Sequence, residues 1–101
     1  MIVAKPGETF EQHRDDIVVY QLKFADWSTN LEKADDRTAT IRANVQKGRD
    51  QIFAKALPYR PGSQVQEVRV SGGSKNGVYE IVRIVKSPTE TRRRSFIVKV
   101  L

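Results

Sequence analysis

Cysteine is absent from the 101 residues, and histidine, tryptophan and methionine occur once each. Without a thiol there is no disulfide framework, no thiolate metal site and no thiol nucleophile, and the composition suits a reducing compartment. The one histidine, His13, stands in the polar run EQHRDD with no serine or cysteine motif beside it. Nothing there supplies a nucleophile, base and orienting acid together. Long apolar runs are missing too. The opening MIVAKPGETF lacks the apolar region of a signal peptide, and no stretch approaches a membrane span. The run SGGSKNG lacks the Gly-Lys-Ser/Thr ending of a phosphate loop. The acid pairs Asp15-Asp16 and Asp35-Asp36 lack the alternating spacing of a calcium loop. The sequence therefore predicts no catalytic residue, no metal site, no cofactor and no membrane partner.

What is present suffices for one core. Hydrophobic residues make up 39%, and a chain of this size buries roughly two thirds of its unfolded surface. A single domain over residues 1–101 is expected, with residues 1–16 as an N-terminal arm or edge strand. The net charge of +6 is uneven: residues 1–50 hold 8 Lys/Arg against 9 Asp/Glu, residues 51–101 hold 10 against 3. A basic half suits a nucleic-acid surface, an acidic protein neighbour or plain solvation.

Apolar alternation marks the strands. Val18, Tyr20, Leu22 and Phe24 share one parity, with Gln21 and Lys23 on the other, which predicts a half-buried strand. Residues 38–45 alternate likewise, with Ala39, Ile41, Ala43 and Val45 on one side. Residues 8–16 read as a loop or a helical turn, 46–51 as a turn, and 52–57 as a short strand or a helical turn ended by Pro58. Residues 59–63 carry Pro-Gly and read as a turn. Three strands then follow: QVQEVRV, VYEIVRIV and SFIVKVL. Val65, Val68 and Val70 do not share a parity, so a bulge or late start near Val65 is expected, with Val68 and Val70 inward. Residues 78–85 are apolar on both parities and fit a central strand. Turn signals every ~8–12 residues predict an all-β sandwich of about seven strands. Trp27 is expected in the core.

Two segments offer binding chemistry. Met1, Ile2, Val3 and Ala4 form an apolar piece stopped by Lys5-Pro6-Gly7, either an edge strand or an assembly arm. Arg92, Arg93 and Arg94 form a basic run beside a hairpin, suited to an anion or an acidic partner. Strand alternation would send successive arginines to opposite faces, and no exposed aromatic interleaves them as in a single-strand binder.

The pieces FADWSTNL, VRVSGG, GVYEIVRIV and TRRRSFIVKV, in this order, resemble a group of small immunoglobulin-like structural proteins of tailed bacteriophages and prophages. The resemblance implies an immunoglobulin-like antiparallel sandwich. It implies for Tyr79 the role of a corner tyrosine, whose hydroxyl ties down the preceding turn. Arg83 falls where that pattern expects a small or apolar inward residue, and residues 49–63 have no counterpart. The implied function is a non-enzymatic virion module in a tail, fibre, decorated capsid or head–tail joint. It would be made in the host cytoplasm and assemble as a homo-oligomer with other virion proteins. Two other readings stand beside it: a nucleic-acid-binding module using the basic half, and a carbohydrate-binding sandwich using Tyr59 and Trp27.

Overall fold

Period-two burial runs through the computed structural model, which describes residues 2–25, 40–58, 64–86 and 90–101. Eight strands form: β1 Ile2–Val3, β2 Thr9–Gln12, β3 Ile17–Lys23, β4 Thr40–Lys47, β5 Ile52–Ala56, β6 Val65–Gly72, β7 Val78–Lys86 and β8 Thr91–Val100. They make two sheets, ordered β1-β3-β6-β5 and β2-β8-β7-β4. The sheets pack face to face as an immunoglobulin-like β-sandwich, the architecture expected from the sequence.

The core lies between inward parities. Tyr20, Leu22 and Phe24 meet Val68 and Val70 from one sheet; Tyr79, Ile81, Val85, Phe96, Val98 and Val100 close on them from the other. Each fully buried side chain of this size contributes roughly 1.5–3 kcal/mol. Phe10, Tyr20 and Phe96 form an aromatic cluster with ring centroids 4.8–5.9 Å apart. Their tilted and edge-on arrangements suit the ring quadrupoles.

Several expectations are corrected. Residues 8–16 are not a plain loop, because Thr9–Gln12 pairs in parallel with β8. Ile2–Val3 pairs in parallel with β3, so the N-terminal segment is shared between the two sheets. That division supplies the strand beyond seven and the two parallel pairs. Pro6 lies at the crossing, where no N–H is needed. Around it, the Ala4 N–H donates to Gln21 O in one sheet and the Gly7 N–H to Ser95 O in the other. No bulge occurs at Val65: β3 and β6 pair without a shift from Lys23↔Val65 to Ile17↔Ser71. The inward parity there begins with buried Gln66, and Val65 simply points the other way. The irregularity falls instead between Val45 and Lys47, and β4 runs two residues past its expected end. Residues 52–57 resolve as strand, since Ile52–Ala56 pairs with β6. Met1, Trp27, Asp35, Asp36 and Tyr59, the segment 26–39 and the turn 59–63 lie outside the described residues.

One polar link crosses the aromatic cluster. The buried Tyr20 hydroxyl donates to Gln12 Oε1 at 2.7 Å, and Gln12 Nε2 donates to Val70 O at 3.2 Å. Gln12 belongs to one sheet; Tyr20 and Val70 belong to the other. Burial, with a smaller contribution from Asp16, pushes the Tyr20 hydroxyl up from 10.0 to about 12. The folded state thus holds this proton more tightly than the unfolded chain does. The resulting stability is complete below pH 10 and is lost as pH rises toward 12. Urea unfolding should show a Tyr20-dependent loss across that window. Tyr20→Phe should lack this loss and, by leaving Gln12 Oε1 unpaired, should be destabilised by about 1–3 kcal/mol at neutral pH. An unchanged alkaline profile in the variant would contradict the assignment.

Candidate functional site

Strand register brings three connections to one end of the sandwich. Lys23 pairs with Val65 and Lys86 with Thr91, while Thr40 lies opposite Ile84. β5 reaches the same end, where the Leu57 N–H donates to Glu67 O. The segments 24–39, 57–64 and 87–90 therefore all leave and re-enter the sheets here. A ten-residue strand such as β8 spans about 33 Å, so the long axis of the 39 × 23 × 20 Å molecule runs along the strands. This end is one of its narrow faces.

Just inside these strand ends lies a polar layer. Arg83 on β7 points inward and is only 5% exposed. Its Nε and Nη2 both donate to Gln66 Oε1 across the gap, at 3.2 and 2.9 Å. Gln66 in turn donates through Nε2 to Leu57 O at 2.6 Å and to Glu67 O at 2.9 Å. The first of these ties the start of segment 57–64 to the layer. Arg94 lies opposite Arg83 in the β7–β8 ladder, with its guanidinium 5.2 Å from the centre of the buried Phe24 ring. Such a contact contributes about 0.5–2 kcal/mol. The Phe24 N–H donates to Gln64 O at 2.7 Å, which joins the start of one connection to the end of another. Arg92 and Glu90 form an ion pair at 3.5 Å where the third connection re-enters.

The opposite end is tied differently. The Tyr79 hydroxyl accepts from the Ser74 N–H at 2.7 Å and donates to Asp50 O at 2.8 Å. Ser74 Oγ accepts from the N–H groups of Arg49 and Asp50. A Cβ on Gly77 would lie 2.7 Å from the Tyr79 ring and 2.8 Å from Ser74 O, so this turn closes only around glycine. The resulting knot fastens the β4–β5 and β6–β7 turns to each other.

The residues singled out from sequence are spread apart. Arg92 and Arg94 stand on the inward parity of β8, whereas Arg93 stands on the outer face, 3.7 Å from Glu80. The three arginines do not converge as one clamp. Ile2 and Val3 lie on the edge of their own sheet, beside Ala4, which is buried. Among the described residues no group of three His, Asp or Glu side chains gathers in metal-binding fashion, and His13 caps a turn by donating its N–H to Asp16. Gln66 and Phe24 were missed as members of the polar layer. The available signal was Gln66 sharing its parity with Val68 and Val70.

No family model and no curated protein matches the chain. Among solved structures, it is similar to the cysteine protease inhibitor EhICP2 from Entamoeba histolytica. That match has a TM-score of 0.50 and 14% identity, and covers 99% of this chain and 92% of that one. It is also similar to amebosin, with a TM-score of 0.48 and 14% identity, over 99% of this chain and 97% of that one. The first likeness carries the fold: an immunoglobulin-like sandwich matched over almost its whole length. That neighbour is an inhibitor, not an enzyme.

These findings correct the functional expectation. The reading as a virion module with virion proteins as partners gives way, because the neighbour that shares the fold is a protease inhibitor. The physical reason is that an immunoglobulin-like core and its corner tyrosine serve many functions, so the motifs of the resemblance were those of the scaffold.

The polar layer predicts an asymmetry among arginines. Arg83→Met should cost about 2–4 kcal/mol in chemical denaturation, because Gln66 loses two charge-assisted bonds in a buried place. Arg93→Ala, on an exposed ion pair, should change stability by less than about 1 kcal/mol. Equal effects would contradict the placement of the two side chains.

Proposed function

We propose that this protein is a reversible, non-enzymatic inhibitor of cysteine proteases, acting through the end of the sandwich that carries segments 24–39, 57–64 and 87–90. The observation that carries this reading is the meeting, at one narrow end of the sandwich and next to a buried polar layer, of the strand ends that bound these three segments. The fold shared with a cysteine protease inhibitor supports it. Binding loops work best when a rigid scaffold fixes their ends. Here Gln66 and Phe24 fix four strand ends through Leu57, Gln64, Arg83 and Arg94.

The chemistry of such an inhibitor is obstruction. With no cysteine in the chain, it forms no mixed disulfide with the protease thiolate. It excludes substrate by occupying the cleft, so inhibition is competitive.

The test is a panel of purified cysteine proteases assayed with a fluorogenic peptide substrate. At least one member should be inhibited competitively, and the chain should be recovered uncleaved. Replacing residues 59–63 and 87–89 by Gly/Ser stretches of equal length should weaken inhibition by about tenfold or more, while the melting temperature stays within a few degrees. Lack of inhibition of every member at about 100 µM, a concentration marking only weak affinity, would overturn the proposal.

A further inference from the structure

A second surface lies on one flank of the sandwich. β5 ends one sheet and β4 ends the other, so both edge strands run along the same side. Between them and the outer face of β6 lies an open groove of about 500 Å³. Its charged lining residues are Arg42 from β4, Lys55 from β5 and Arg69 from β6; among the described residues no acidic side chain lines it. Among the described residues, none of these three cations forms an ion pair or a side-chain hydrogen bond. Lys55 and Arg69 are direct cross-strand partners, an arrangement that repels and works against the fold. The groove also holds Phe53, which is 67% exposed. Its ring lies against Gly72, where an added Cβ would come within 2.9 Å of it. An exposed aromatic is thus seated on the sheet beside three cations and an edge strand.

We infer that this flank binds an extended acidic peptide segment of a partner protein, added as a strand along the free edge of β5. Among the described residues β5 pairs with β6 alone, so its other edge offers backbone N–H and C=O groups to an incoming strand. Arg42, Lys55 and Arg69 select carboxylates, and Phe53 receives an apolar side chain from the same peptide. Charge complementarity identifies the occupant, and the strand edge favours a peptide over other polyanions. The site lies outside the three connections and does not depend on the protease reading.

The experiment uses the full chain and a fluorescein-labelled peptide with Glu and Val taking turns on one strand parity and Ser on the other, because Phe53 and Lys55 share one face of β5; binding is read by anisotropy at about 50 mM salt, where screening is modest. Binding should be saturable. Lys55→Glu combined with Arg69→Glu should weaken it by about tenfold or more. The same peptide N-methylated at alternate residues keeps its charges but loses strand donors, and should also weaken by about tenfold or more. Phe53→Ser should weaken it by roughly threefold to tenfold through lost apolar contact. Retained melting temperatures in the exposed variants keep these readings independent of unfolding. No binding, equal binding of the N-methylated peptide, insensitivity to charge reversal, or equally tight binding of an oligothymidine of the same charge would each overturn the inference.

Discussion

A guanidinium buried between two sheets sets the constraint on which the rest of this molecule depends. The apolar core drives the sheets together, but burial is non-directional and tolerates sliding. Arg83 bonded to Gln66 does not tolerate it, because moving either sheet would strand a charge in a low-dielectric layer. Gln12 between Tyr20 and Val70 fixes the middle in the same way, and Tyr79 bonded to Asp50 and Ser74 fixes the far end. Three polar fastenings along the long axis thus give the sheets one relative position. The Arg83 layer differs from the others in its location, next to the strand ends that bound segments 24–39, 57–64 and 87–90.

That location links packing to function. The Tyr79 end closes on itself through hydrogen bonds among its own turns. The Arg83 end instead sends its bonds to the roots of connections, through Leu57 O, Gln64 O and the Phe24 ring. One end consumes its polar groups in holding the fold together, while the other uses them to position the ends of three segments. In the proposed inhibitor the second arrangement lowers the ordering cost of binding, since the segment ends are held before a protease arrives.

Much of the fold was legible wherever apolar residues kept strict alternation. Val18 through Phe24 gave β3 its inward face, and the three C-terminal runs gave β6, β7 and β8 their order. Legibility failed wherever a polar side chain occupied an inward position. Gln12 hid the alternation of β2, so residues 8–16 read as a loop or a helical turn. Gln66 made Val65 look misplaced and suggested a bulge that the pairing does not contain. Arg83 looked like a departure from a pattern when it was the partner of Gln66. A hydrophobic template treats such residues as errors, although a long polar side chain can bury its stem and find its bond across the gap. The candidate site was less legible still. It is defined by which strand ends meet, and that follows from contacts between residues as far apart as Phe24 and Arg94. The resemblance to phage proteins rested on scaffold residues, Tyr79 foremost, and these carry no information about what the ends of a sandwich bind.

The most direct test is to map where a bound protease touches the chain. Backbone amide signals of the isotope-labelled protein would be followed while a cysteine protease that it inhibits, with its active-site thiol blocked reversibly, is added. The account predicts shifts and slowed exchange at Phe24, Leu57, Gln64, Lys86 and Glu90, with Asp50, Ser74 and Tyr79 unchanged. Perturbation centred on Asp50, Ser74 and Tyr79, with the Arg83 end unaffected, would contradict it.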